Sequence, residues 1–302
     1  MKLSIIVPVY RGKRILPVLL RRIDKSLAGN NEYEVLLICD GCDRESLSIV
    51  NELKKNNSSQ LKVFRLAHNY GQHRALQFGF SKVSGELVVT IDEDLQHDPA
   101  DILKLVEKQK ENNYDVVYGR FVNPQHNWIR NVFSAILRKI LKHFIPTLYD
   151  NYSPYRLIKK DIAIRTSTMV CPFTFIDDFL SRVTQNIAFE DIEHHKRMEG
   201  ESSYTFMKFI KHGFYILLAY SKLIQLLLAT SIIFVIAGSV MFGLNVISLK
   251  NLNTIFFSTR FITGIMGIGM ILLFFSLMSS FINHRNTVIN TRPVKLLNED
   301  PI

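Results

Sequence analysis

Apolar and polar positions divide the chain into two regimes. As far as Gly119, short apolar runs alternate with segments of helical spacing. Leu3 to Val9 reads as a strand, after which Leu16, Leu19, Leu20 and Ile23 recur at the spacing of one helix face over Ile15 to Leu27. The alternation continues with strand Tyr33 to Cys39, helix Arg44 to Asn56, strand Leu61 to Leu66, helix Gly71 to Val83 and strand Leu87 to Ile91. Asp115 to Gly119 predicts a further strand. Such an order implies an α/β fold, a mostly parallel sheet with helices on both faces.

In open α/β sheets ligands bind at the carboxyl ends of the strands. Polar residues gather there: Tyr10 and Arg11, Asp40, His68 and Asn69, and the run Asp92-Glu93-Asp94. A buried strand cannot hold consecutive carboxylates without partners for their charge, so Leu87 to Ile91 must open at that point. Carboxylates at a sheet edge, followed by a polar turn reaching Pro99, suit a hard divalent cation that shares its coordination with phosphate oxygens.

The second regime is continuous rather than alternating. No charged residue occurs from Leu223 to Leu249 or from Phe261 to Ile282, and each stretch reaches the roughly 20 apolar residues that cross a bilayer as a helix. The expected organisation is a catalytic domain over 1–205, an interfacial amphipathic helix over 206–222, transmembrane helices over 223–249 and 261–282 joined by a short loop at 250–260, and a tail over 283–302. Lys208, Lys211 and Lys222 before the first span and Arg285, Arg292 and Lys295 after the second outnumber Lys250 and Arg260 between them. That bias places the catalytic domain and tail on the cytoplasmic side of the membrane. The apolar run of MKLSIIVPVY is too short for a signal peptide. Trp128 to Phe144 predicts an amphipathic helix, either core-packed or at the membrane interface.

Composition changes this picture in two respects. The chain has 302 residues, 47% hydrophobic and 21% charged, with a net charge of +10. Its basic residues border apolar spans or sit among candidate phosphate sites, which favours a membrane surface and anionic substrates over nucleic acid. Cys39, Cys42 and Cys171 make no disulfide framework, and the C-x-x-C of the first two lacks the second ligand pair of a zinc site. Gly238, Gly243, Gly264, Gly267 and Gly269 offer close-packing surfaces on the apolar helices, including for a second copy of the chain.

Taken in order, PVYRG at 8–12, CDGCD at 39–43, NYGQHRALQFGF at 69–80, DEDLQHDP at 92–99, YGR at 118–120 and SPYR at 153–156 resemble the family-two inverting glycosyltransferases with a GT-A fold. HHKRMEGESSYTF at 194–206 and the two apolar stretches are similar to the branch that acts on polyprenyl phosphates, which includes dolichyl-phosphate mannose synthases, bactoprenol glucosyltransferases and undecaprenyl-phosphate aminoarabinose transferases.

The resemblance implies a nucleotide-diphosphate sugar donor, UDP- or GDP-linked, and Mg2+ or Mn2+ held by Asp94 with Asp92 close to the metal or ribose. Asp40, Pro8 and Tyr10 match positions that hold the nucleobase, Gln96 a position facing the donor sugar, and Arg197 with the loop through Ser202 a closure over the diphosphate. Arg156 is similar to an arginine that binds phosphate. The chain departs from the family pattern at Cys39 and Gly12, where an acid is usual. A hydroxyl acceptor needs a carboxylate base, for which Asp177 or Asp178 qualifies, the alternative for both being helix N-terminal acids. A phosphate acceptor is already ionised and needs cations instead, with Arg130, Arg138, Arg156 and Lys211 as candidates. The expected activity is transfer of a sugar to a polyprenyl phosphate carrier for surface-glycan modification. Transfer to a glycan or lipid-linked oligosaccharide hydroxyl is the rival, and a catalytically impaired membrane scaffold the reading from another class.

Overall fold

A computed structural model of the chain describes residues 2–10, 15–29, 32–56, 60–122, 139, 142, 149, 151–171, 174–193, 223–247, 252–291, 294 and 296. Its elements follow the alternating pattern: β1 (Leu3–Val9), α1 (Ile15–Leu27), β2 (Tyr33–Cys39), α2 (Arg44–Asn56), β3 (Leu61–Arg65), α3 (Gln72–Phe80) and β4 (Leu87–Thr90). A single 3₁₀ turn, Pro99–Asp101, leads into α4 (Ile102–Asn112) and β5 (Val116–Val122). After them come β6 (Arg156–Lys159), α5 (Lys160–Ser167), α6 (Ile176–Val183) and β7 (Ile187–Glu193). Two long helices follow among the described residues, α7 (Leu223–Ile247) and α8 (Leu252–Thr291).

The sheet has the order β3-β2-β1-β4-β6-β5-β7. β3, β2, β1 and β4 run parallel, β6 runs antiparallel to both its neighbours, and β7 is parallel to β5. Strand pleat then sorts the side chains onto two faces. Ile5, Val7 and Val9 join Leu16, Leu19, Ile23, Leu37, Cys39 and Val89 in one core, whereas Ile6, Ile38, Leu76, Phe80, Val88 and Tyr118 build the other. Buried on both faces, these strands carry near-continuous apolar runs, as parallel strands do.

The chain divides into two compact units. One comprises Met1–Val170, Thr174–Thr205 and Arg292–Ile302, the other Cys171–Phe173 and Phe206–Thr291. In the first, Val294 and Leu296 pack onto the second core, and Leu66 pairs with Leu296 in an isolated antiparallel bridge. In the second, α7 and α8 lie side by side: Gly238 faces the Met266 side chain, and Gly269 meets Phe234 and Val235.

The loop expected at 250–260 is helical from Leu252 onward. No glycine or proline interrupts Leu252 to Thr263, so nothing in the sequence stops α8 from starting there. Among the described residues, Ile262–Ile282 is the one helix segment long and apolar enough to cross a membrane, and the shorter apolar stretch of α7 is Leu228–Met241. The interfacial helix expected over 206–222 lies outside the described residues, as does nearly all of Trp128 to Phe144.

Candidate active site

The winding of the sheet reverses between β1 and β4: β1, β2 and β3 step outward on one side, and β4 then pairs with β1 on the other. A crevice opens at the carboxyl edge of such a switch point. Pro8, Val9 and Tyr10 end β1 there, and Asp92-Glu93-Asp94 follow β4 across from them. The Tyr10 N–H donates to Glu93 Oε1 at 3.4 Å, joining the two strand ends, and the Tyr10 side chain is exposed.

The acidic turn is held by local contacts. Leu95 takes φ 57°, in the left-handed region, with its side chain buried in the first core. Such a conformation costs on the order of 1–3 kcal/mol for a residue other than glycine and persists only where packing fixes it. Two residues on from Asp94, the Gln96 N–H donates back to Asp94 Oδ1 at 3.1 Å. Beyond it, the His97 ring lies against Tyr155, with centroids 4.9 Å apart, and the Tyr155 hydroxyl donates to the Asp98 carbonyl at 3.1 Å. Thr90, the last residue of β4, donates through its hydroxyl to the Pro154 carbonyl at 2.6 Å, so the SPYR segment buttresses the turn from β6.

Asp40 ends β2 and is buried. Its two oxygens accept the Tyr70 N–H at 2.6 Å and the Gly71 N–H at 2.8 Å, which fixes the loop before α3. Burial pushes its carboxyl up, opposed by those two amides. Gly71 needs its freedom here, at φ 88°, and Gly41, at φ 75°, comes so near Asn69 that an added Cβ would lie 3.0 Å from the Asn69 Cβ. From this fixed loop Gln72 opens α3 and its side-chain amide donates to Asp92 Oδ1 at 2.6 Å.

The two cysteines are accounted for by packing. Cys39 lies in the first core, and the Cys42 thiol donates to the Val9 carbonyl at 3.4 Å. Contact with Cys39, together with burial, pushes the Cys42 thiol up, away from the thiolate that metal binding or nucleophilic attack requires.

Arg156 and Asp177, assigned to different roles on sequence grounds, face each other. Arg156 Nη1 donates to Asp177 Oδ1 at 2.5 Å, the Tyr118 hydroxyl donates to the same oxygen at 3.0 Å, and both members of the ion pair are buried. Burial pushes the Asp177 carboxyl up, and the Arg156 guanidinium and the Tyr118 hydroxyl oppose it. Asp177 is thus the counter-ion of Arg156 in the first turn of α6 rather than an open base. Asp178 is buried beside it, pushed up by the same desolvation; its Oδ2 accepts Arg182 Nε at 2.9 Å, and its Oδ1 has no hydrogen-bond partner.

Of the expected site residues, Pro8, Tyr10, Asp40, Asp92, Asp94 and Gln96 therefore gather at the carboxyl edge of β1, β2 and β4. Arg156 and Asp177 form a separate buried pair, and Arg130, Arg138, Arg197, Ser202 and Lys211 lie outside the described residues. Gln72 and Tyr118 carry contacts that sequence reading gave no role. Both fall within noticed motifs, NYGQHRALQFGF and YGR, but neither bears a charge that would draw attention.

The family is decided by the sequence profile of glycosyl transferase family 2, which matches residues 4–176. The chain belongs to that family. Solved structures of one mycobacterial enzyme share the fold. Mycobacterium tuberculosis glucosyl-3-phosphoglycerate synthase, in complex with Mn2+, UDP and glucosyl-3-phosphoglycerate, is 15% identical with a TM-score of 0.54, over 72% of this chain and 77% of that one. The same enzyme with Mn2+, UDP-glucose and glycerol 3-phosphate is 14% identical with a TM-score of 0.53, over 72% and 78%. S. aureus TarS is 20% identical with a TM-score of 0.47, over 64% of this chain and 36% of that one. The family 2 assignment and the shared fold agree on an α/β domain of GT-A type with a mostly parallel sheet.

The donor set of a family 2 site can be tested for fit to a divalent cation. No group of three or more His, Cys, Asp or Glu side chains gathers at ligand spacing among the described residues. A magnesium-like ion needs none, because it binds through one or two carboxylates and takes its other ligands from substrate phosphates and water. Asp92 and Asp94 each accept a hydrogen bond from the chain and stand on one turn at the switch-point crevice, carboxylates of the hard-oxygen type such an ion takes. The residues fit such an ion.

Proposed function

We propose that the chain is a metal-dependent, inverting glycosyltransferase that moves a sugar from a nucleoside-diphosphate donor to a polyprenyl phosphate at a cytoplasmic membrane surface. The observation that carries the reading is the acidic turn Asp92-Glu93-Asp94 at the reversal between β1 and β4, tied to the end of β1 through Tyr10. Asp94 and Asp92 would hold Mg2+ or Mn2+, which when bound neutralises diphosphate charge as the glycosidic bond breaks. Pro8 and Tyr10 line the nucleobase end, and Gln96 follows the metal acids toward the sugar. Asp40 serves the same region by fixing the loop at 69–71. UDP and Mn2+, present in the fold relatives, are the first donor and metal to try.

The acceptor reading rests on the apolar helices. Outward-facing Ile233, Phe274, Phe275 and Phe281 are each more than 60% exposed, a surface that water would strongly disfavour and a bilayer would accept. The tail favours two passes rather than one: Leu296 follows α8 and pairs with Leu66, the residue after β3, in an isolated bridge, which fits an even number of crossings between them. A phosphate acceptor attacks without a base, because its oxygen is already ionised. Cations for it would come from Arg130, Arg138 and Lys211, since Arg156 is occupied by Asp177.

One feature favours a hydroxyl acceptor instead. Asp178 keeps a buried oxygen without a hydrogen-bond partner and a raised carboxyl, both suited to a general base. The test is a panel of UDP- and GDP-sugars given to membranes carrying the full chain, with and without undecaprenyl phosphate. Labelling of the polyprenyl phosphate by one donor, lost in Asp94→Ala and kept in Asp178→Asn, is the expected result. Turnover unchanged by Asp94→Ala would overturn the metal site, and loss in Asp178→Asn with no lipid labelling would favour the hydroxyl acceptor.

A further inference from the structure

β3 is an edge strand of the sheet, and the chain's own tail meets it at its carboxyl end. Leu66, the residue after β3, donates its N–H to the Cys39 carbonyl of β2 at 2.9 Å and pairs with Leu296 in the isolated antiparallel bridge. Val294 and Leu296 are partly buried against the second core, which contains Phe64 and Leu66 and carries Tyr70 and Phe78 on its margin. The tail thus belongs by its packing to the catalytic unit, although the helix before it belongs to the other unit. An edge strand offers backbone groups that proteins commonly cover with another piece of chain, and a tail stays ordered only where something ties it down.

The segment that reaches the donor end starts from the same residue. Beyond Leu66, the Tyr70 and Gly71 N–H groups donate to the two oxygens of buried Asp40, whose own N–H donates to the Val9 carbonyl at 2.9 Å. The Gly71 carbonyl then accepts the Arg74 and Ala75 N–H groups, both at 3.0 Å, as α3 begins. Segment 66–71 is therefore fastened at its far end to the ends of β1 and β2, and at its near end to β2 and the tail. The tail can come away without breaking a strand or a helix, and a fastening of that kind opens at low cost. We propose that Leu296 is a positioning residue for the donor end: docked beside Leu66, it holds segment 66–71 over Asp40, next to the nucleobase end of the crevice. The proposal rests on the reading of that end as the nucleotide site and adds to it a dependence on the tail. A site assembled for only a fraction of the time binds its ligand more weakly by that fraction. The coupling is reciprocal, so bound nucleotide in turn holds the tail down.

The experiment measures nucleotide binding and tail docking separately. Wild type, Leu296→Asp and a chain cut back to Thr291 are purified in detergent at full folded yield and titrated with UDP in the presence of Mn2+, by calorimetry well below their melting midpoints. Amide exchange at Tyr70 and Gly71 is followed beside that of β1 as reference. Trypsin cuts after Lys295 but not after Arg292, which Pro293 follows, so release of the peptide that begins at Leu296 reports undocking in the wild type. The expected result is UDP affinity weakened by roughly 5–150-fold in both altered chains, the range of such couplings. Exchange at Tyr70 and Gly71 should quicken while that of β1 does not, and saturating UDP should slow cleavage after Lys295. A tail that merely covers the core would lower the melting midpoint yet leave UDP affinity, the two amides and the UDP-free cleavage rate as they are with UDP; that pattern would refute the proposal. If both altered chains fail to fold, wild-type cleavage decides alone: slowing by UDP supports the proposal and equal rates refute it. A wild type that binds neither UDP nor GDP would overturn the nucleotide reading instead, and exchange at Tyr70 and Gly71 then judges the tail by itself, faster exchange in the altered chains upholding its hold on the segment and unchanged exchange refuting it.

Discussion

Cutting the Arg156–Asp177 pair should unfold the catalytic unit rather than disarm it. Asp177→Ala leaves a guanidinium that is 1% exposed with no counter-charge, and removes the acceptor of the Tyr118 hydroxyl. Removing one partner from a buried ion pair costs about 3–5 kcal/mol, and an orphaned buried hydroxyl adds roughly 1–3 kcal/mol. At roughly 2–4 °C per kcal/mol for a unit of this size, the ion-pair loss alone lowers the melting midpoint by about 6–20 °C. Replacing the group together, Arg156→Met with Asp177→Leu and Tyr118→Phe, removes both charges and the hydroxyl, and should recover most of that loss, because an apolar cluster of similar volume needs no desolvation of ions. The assay is thermal unfolding of the full chain in detergent, followed by circular dichroism, beside initial rates of sugar transfer measured well below the lowest midpoint. Under those conditions Asp177→Ala should retain turnover in proportion to the folded fraction. A wild-type midpoint combined with abolished turnover would refute the reasoning, since Asp177 would then be touching substrate instead of holding Arg156.

Other consequences follow from single contacts. Burial by itself raises the Glu34 carboxyl, but hydrogen bonds from Lys62, Ser4 and the Ser84 amide overcome it and bring it down to about 2. Because the folded value lies below the ordinary 4.5, Glu34 contributes stability above that pH which is lost as pH falls toward 2; Glu34→Gln should flatten this part of the acid-unfolding curve, and an unchanged acid limb would exclude the contribution. At Gly85 an added Cβ would lie 2.7 Å from backbone atoms of β1, so Gly85→Ala should cost about 1–3 kcal/mol or more in a chemical-denaturation curve. Gly41→Ala strains a φ of 75° and presses on Asn69, so donor binding measured by UDP titration should weaken. Gly238→Leu drives a side chain into Met266, and the melting midpoint of the detergent-solubilised protein should drop.

Most of the fold was legible because two periodicities carry it. Apolar runs mark β1 to β4 to within a residue or so at their ends, and the spacing of Leu16, Leu19, Leu20 and Ile23 marks α1 along its whole length. The helix over Gly71 to Val83 came out shorter, Gln72–Phe80, since the left-handed φ of Gly71 keeps it outside the helix and the chain turns at Ser81. The later strands are irregularly spaced along the chain, and nothing in the tetrapeptide Arg156–Lys159 announces that it inserts antiparallel between β4 and β5. The acids of the candidate site were legible for a different reason: a carboxylate run after an apolar strand has nowhere to be but a sheet edge.

The amino-acid sequence by itself determined the alternating elements, the family, the acidic turn and the two apolar stretches, because each is a local or periodic property of the chain. The tertiary structure alone decided which polar groups meet. Gln72 reaches Asp92 because β1 to β4 place the start of α3 beside the end of β4. Asp177 meets Arg156 because β6 inserts beside β4, and Asp40 is spent on backbone amides because the loop at 69–71 folds over it. A charge can be seen in a sequence, but its partner is chosen by the packing, and the partner decides whether the charge holds the fold or faces the substrate.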